Sequence, residues 1–226
     1  MNVCLLAFAA IAAAPLFPGH APGQTAALAV PVDTAGLASG PYAEASMLLE
    51  KTLFKVDVLG LELHFDPDSR DRIRSAAGDP REKGSDERDQ ALADAAAHAS
   101  GAWARIRFHR DIKLGQFVDA ARESLAEARK AGYIDAAAEN EIGGNLPRWY
   151  AFLAVRKIRK GDEMHYRIRG DTLRTVYVGR DGDVLLDQVD VGPERVASVL
   201  GGYFARGSDF RKPLLRSLAA NGGTGN

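Results

Sequence analysis

Cysteine is almost missing from this chain. The one thiol, Cys4, sits inside an apolar run at the N-terminus. Removal of that run would leave a protein without disulfides or cysteine catalysis. Histidine is sparse too: His20, His64, His98, His109 and His165 show no metal-ligand spacing with one another, so no metal is expected. An excess of one charge is also lacking. The 29 basic and 30 acidic side chains leave a net charge of −1, which gives no electrostatic footprint for nucleic acid or an anionic membrane. The chain has no Gly-x-Ser-x-Gly elbow, phosphate-binding glycine loop or dinucleotide fingerprint, so no cofactor is expected. No stretch after the first 30 residues is long and apolar enough to span a bilayer.

What is present suits one sizeable domain. A 226-residue chain with 46% hydrophobic residues can bury a core. Residues 3–14 (VCLLAFAAIAAA) carry no charge; the run is too short for a bilayer and matches the apolar part of a secretory signal. Ala27, Leu28 and Ala29 give a small-x-small pattern before a cleavage point. The expectation is a signal peptide over 1–29, a small-residue linker over 30–44, a domain over 45–219 and a disordered tail over 220–226. Localisation follows as periplasmic or secreted.

Within the domain, Phe54, Val56 and Val58 alternate with Lys55 and Asp57, the period of a strand with one buried face. Gly60 reads as a bend or bulge between two segments of that strand. Residues 66–74 read as a charged turn, and 79–100 as a surface excursion with some helix. Ile106 and Phe108 alternate with Trp103, Arg105, Arg107 and His109, again a strand. The spacing then turns helical, with Phe117, Ala121, Leu125 and Ala128 on one face and Ser124 at its edge. A second helical stretch, about 135–152, is interrupted by Gly143-Gly144 and by Pro147. Residues 163–169, 173–178 and 184–189 form a meander, with Asp181-Gly182 as a hairpin turn. Helices over about 193–205 and 209–218 close the chain. Arg156, Lys157, Arg159 and Lys160 read as a solvated helix end. Strands grouped apart from helices indicate an α+β domain.

Four phrases in this order carry a resemblance: TLFKVDVLGLEL (52–63), IRFHRDIKLGQF (106–117), KGDEMHY (160–166) and VLGGYFARGSDFRKPLLRSL (199–218). Together they resemble the chalcone-isomerase-like family, above all its bacterial exported members. The resemblance implies an open-faced β-sandwich, a large antiparallel sheet with helices over one face and a ligand cleft between. Enzymes of the family close a flavanone ring there with an arginine and polar side chains; non-catalytic relatives hold fatty acids. Here the arginine position falls at Leu49, the strand threonine at Asp57, the helix tyrosine at Phe117, the helix asparagine at Ser124 and the late Ser/Thr at Ser198. Phe117 has no hydroxyl and Leu49 no charge, so the oxyanion-stabilising groups are gone. The expectation is no catalytic residue and a ligand-binding set of Asp57, Phe117, Ser124 and Ser198 around a small apolar or amphipathic, fatty-acid-like ligand. Two alternatives stay open: an isomerase-type enzyme of altered chemistry in the same cleft, and an envelope protein acting through partner contacts at 79–100. From the residues alone, Phe117 and Ser124 read equally as core packing, Lys55 and Asp57 as an exposed pair, and Trp149 and Tyr150 as core anchors.

Overall fold

The computed structural model describes residues 41–51, 56–78 and 86–221. The expected signal peptide, most of the expected linker and the 222–226 end lie outside them. Six strands and seven helices are described: β1 (Ala43–Lys51), β2 (Val56–Phe65), α1 (Pro67–Ala77), α2 (Asp86–Ala97), β3 (Gly101–Phe108), α3 (Leu114–Lys130), α4 (Ala136–Trp149), α5 (Leu153–Arg156), β4 (Glu163–Arg169), β5 (Thr172–Val178), β6 (Val184–Val191), α6 (Pro193–Phe204) and α7 (Arg211–Asn221). The strands form one antiparallel sheet in chain order, β1 to β6.

Strand alternation decides which residues enter the core, because successive side chains point to opposite faces. One buried row runs Met47, Leu61, Ile106, Met164, Tyr177 and Leu186 across the six strands. The next row runs Ala45, Leu63, Ala104, Tyr166, Thr175 and Gln188. Both face the helices. On the opposite face, Trp103 is flanked by the rings of His64 at 5.0 Å and His165 at 6.2 Å, while Arg105 reaches Glu62 at 2.8 Å.

Several expectations need correction. The stretch read as one strand bent at Gly60 is two antiparallel strands, paired from Lys51↔Val56 upward. No glycine, proline, asparagine or aspartate falls at 52–55 to mark a reversal, so alternation alone read as continuous. The expected strand at Phe54 and Lys55 lies outside the described residues. Gly60 stays inside β2, and the register shifts beside it, between Leu49 and Glu50. A Cβ on Gly60 would stand 3.2 Å from His109 Nε2. β1 already begins at Ala43, inside the expected linker, and α7 runs to Asn221, inside the expected tail.

Residues 66–74 are not a turn. Asp66 accepts a hydrogen bond from Ser69 N at 2.8 Å and caps α1, with Pro67 in the first turn. Residues 86–97 are not a surface excursion either: α2 buries Leu92, Ala93, Ala96 and Ala97, while 79–85 lie outside the described residues. Pro147 does not break α4. Proline offers no N–H to the carbonyl four residues back, which is that of Gly143, and Arg122 Nε donates to that oxygen at 3.1 Å. The β5–β6 hairpin stands where Asp181-Gly182 predicts it, with Gly182 at φ 90° and its N–H donating to Gly179 O at 2.8 Å.

Candidate functional site

The helices do not close fully onto the sheet. A cavity of about 600 Å³ lies between the helix-facing side of the sheet and α3, α4 and α6, within the range of small-molecule sites. Leu49, Leu59 and Phe108 form one row of its sheet wall, and Phe117, Ala121 and Ser124 of α3 stand opposite. Leu125, next on the same helical stripe, lines the cavity as well, while Ala128 is fully buried in packing. α6 approaches α3 closely at Gly202, where a Cβ would collide with Ser124 Oγ; the neighbouring Gly201 makes room for Tyr133, in the loop after α3, whose Cβ would lie 2.7 Å from a Cβ there.

The structure brings Phe117, Ser124 and Ser198 together on this cavity, along with Leu49. Phe117 is half-buried and meets the Tyr150 ring edge-on at 4.9 Å. Ser198 Oγ donates to Arg195 O at 2.7 Å, within its own helix. Asp57 belongs to β2 and pairs with Glu50 across β1, but its side chain lies outside the described residues. Among the described lining residues there is no histidine, lysine or cysteine. Neither serine therefore has an imidazole or amine beside it to act as base.

Sequence reading missed a polar group at the far end. Tyr166, Thr175 and Gln188 stand in one row and line the cavity. In the adjacent row Asp190 accepts from Gln188 Nε2 at 2.9 Å through both oxygens. Tyr150, read as a core anchor, also lines the cavity. Burial, with the Tyr166 hydroxyl adding to it, pushes the Tyr150 phenol well above its usual range. Burial raises Tyr166 to about 12 and lifts Tyr203 strongly as well. All three are neutral hydrogen-bond donors at ordinary pH. Only Tyr150 had a local signal, an aromatic close after Pro147; strand alternation marks Tyr166, Thr175 and Gln188 as facing inward but cannot mark open space beside them.

Two arginines line the cavity. Arg195 donates to Glu141 at 2.6 Å and lies 5.2 Å over the Trp149 ring. Arg110, just past β3, has a buried Nε with no hydrogen-bond partner.

A sheet in chain order, a long helix after β3, a meander and closing helices give the arrangement the four phrases imply. The described residues form an α+β fold, one open antiparallel six-stranded sheet with helices packed on one face. No family model matches the chain, and no curated protein matches its sequence. Among solved structures, a crystal structure of a fatty-acid binding protein from Arabidopsis thaliana is similar at a TM-score of 0.49 and 14% identity, covering 80% of this chain and 87% of that one.

Proposed function

We propose that this protein is a non-catalytic binding protein that holds a small apolar or amphipathic, fatty-acid-like molecule between sheet and helices. The observation that carries the reading is the cavity of about 600 Å³ with Leu49 and Phe117 on its wall. The resemblance implies an arginine and a tyrosine at those two positions in an isomerase. Their replacement removes the charge and the hydroxyl that cyclisation uses and leaves apolar surface, which favours retention of a ligand over its conversion. Native mass spectrometry of gently purified protein is expected to show a co-purifying small molecule, released on denaturation and rebound after delipidation. A protein that stays ligand-free and binds no amphiphile would overturn the reading.

Export belongs to the same proposal, on the strength of the apolar run at 3–14 and the Ala27-Leu28-Ala29 pattern. Cell fractionation of the full chain is expected to recover a shortened protein outside the cytoplasm, beginning near Val30. Full-length protein confined to the cytoplasm would exclude it.

A further inference from the structure

Charged groups on the cavity wall differ in how they are satisfied. Glu127 is paired with Lys130 at 2.6 Å, Asp190 is held by Gln188, and Glu123 and Asp209 are exposed to solvent. Arg195 is paired with Glu141 at 2.6 Å, although its Nη1 is buried without a hydrogen-bond partner. Arg110 has no ion pair and no hydrogen bond to its guanidinium among the described residues, and its Nε is shut off from solvent. A buried, unpartnered donor on a permanently charged group is costly, and a ligand supplying an anion would relieve that cost.

The backbone around Arg110 is held on both sides. His109 N donates to Val58 O at 3.0 Å, and Ile112 exchanges two bonds of 3.0 Å with Ile158. The guanidinium is therefore presented from a pinned segment, two residues beyond the row of Leu49, Leu59 and Phe108. The neutral row of Tyr166, Thr175 and Gln188 is level with Ala104. That is four residues, or about 13 Å of strand, from Phe108 in the direction away from Arg110.

We infer that Arg110 is the anchor for the anionic headgroup of the bound molecule, a carboxylate on an unbranched apolar chain that runs from β3's end toward the tyrosines. This rests on the ligand-binding reading above and names the headgroup class and the residue that selects it. The cation comes from the segment after β3 rather than from Leu49 on β1.

The test uses the delipidated full chain with the neutral fluorescent probe N-phenyl-1-naphthylamine, displaced by dodecanoate or by dodecan-1-ol. Wild type is expected to prefer dodecanoate by about tenfold or more, since charge-assisted hydrogen bonds are roughly twice as strong as neutral ones. Arg110→Ala should weaken dodecanoate by about 10–100-fold and leave dodecan-1-ol nearly unchanged. Arg110→Lys should keep part of the preference, as a point charge without the fork. If Arg110→Ala does not fold by circular dichroism, Arg110→Gln preserves most of the volume and is expected to show the same loss. A cavity that binds the probe but shows no preference in wild type, or the same preference in the variants, would overturn the headgroup assignment and leave the binding reading intact. Failure of the probe and both amphiphiles to bind would overturn both.

Discussion

Asp162 has no solvent exposure, yet it is held as an anion. Burial alone would raise its carboxyl; hydrogen bonds from Arg156, Arg159 N, Tyr177 and Arg180 N outweigh that and hold it below the usual carboxylate range. Arg156 binds bidentately at 2.6 and 3.0 Å, Tyr177 OH donates at 2.7 Å, and the two backbone N–H groups donate at 2.8 and 2.9 Å. The cluster ties the loop before β4 to the β5–β6 hairpin. It also corrects the reading of Arg156 as part of a solvated helix end. Gly179 makes room for it, since a Cβ there would lie 2.6 Å from Arg156 Nη2. Asp162→Ala leaves that arginine and its fellow donors unpaired and is expected to cost about 3–5 kcal/mol at neutral pH, measured by urea denaturation. Because the folded-state pKa is lowered, this stabilisation is present above the unfolded-state value and is lost as pH falls through the folded one. The gap between wild type and variant should therefore narrow below about pH 4. A gap below 1 kcal/mol at neutral pH, or one that does not change in acid, would contradict this account.

At the scale of elements, α2 shows where composition misleads. Its first turn carries Asp86, Glu87 and Asp89, and its apolar face is mostly alanine, so its periodicity is weak. Leu92 is 1% exposed, and Ala93 and Ala96 are fully buried. Leu92→Ala is expected to lose about 2–5 kcal/mol, read from the shift of a chemical denaturation midpoint. Excision of 86–97 should abolish cooperative unfolding, where a dispensable interaction arm would leave it intact. α3 behaved differently. Its stripe was legible because Phe117, Leu125 and Ala128 are spaced as one face of an amphipathic helix. α4 was legible as a helix but not as an unbroken one, because the partner that satisfies Gly143 O is Arg122, on another helix.

For the whole molecule, the cavity is the testable object. Ala121 lines it from α3 and is half-buried. Ala121→Trp should fill much of the space and reduce amphiphile binding by about tenfold or more, a loss of about 1.4 kcal/mol or more. Melting temperature should change little, since the added ring occupies a void and displaces no packed neighbour. Unchanged binding in a folded variant would place the ligand elsewhere. The cavity walls come from Leu49, Phe117, Tyr166 and Ser198, far apart in the chain, and no local pattern relates them.

Composition, alternation and helical spacing were enough to determine an antiparallel sheet beside helices, the inward face of β3, the apolar stripe of α3 and the turn at Gly182. These are local properties, set by backbone geometry at periods of 2 and 3.6 residues. Only the tertiary structure decided that the first strand is a hairpin, that α2 is core, that Arg156 is paired with a buried carboxylate and that Arg110 Nε meets no partner among the described residues. Each of those depends on which residue of a distant segment stands opposite. Periodicity says which way a side chain points; what it meets there, or whether it meets open space, is decided by packing.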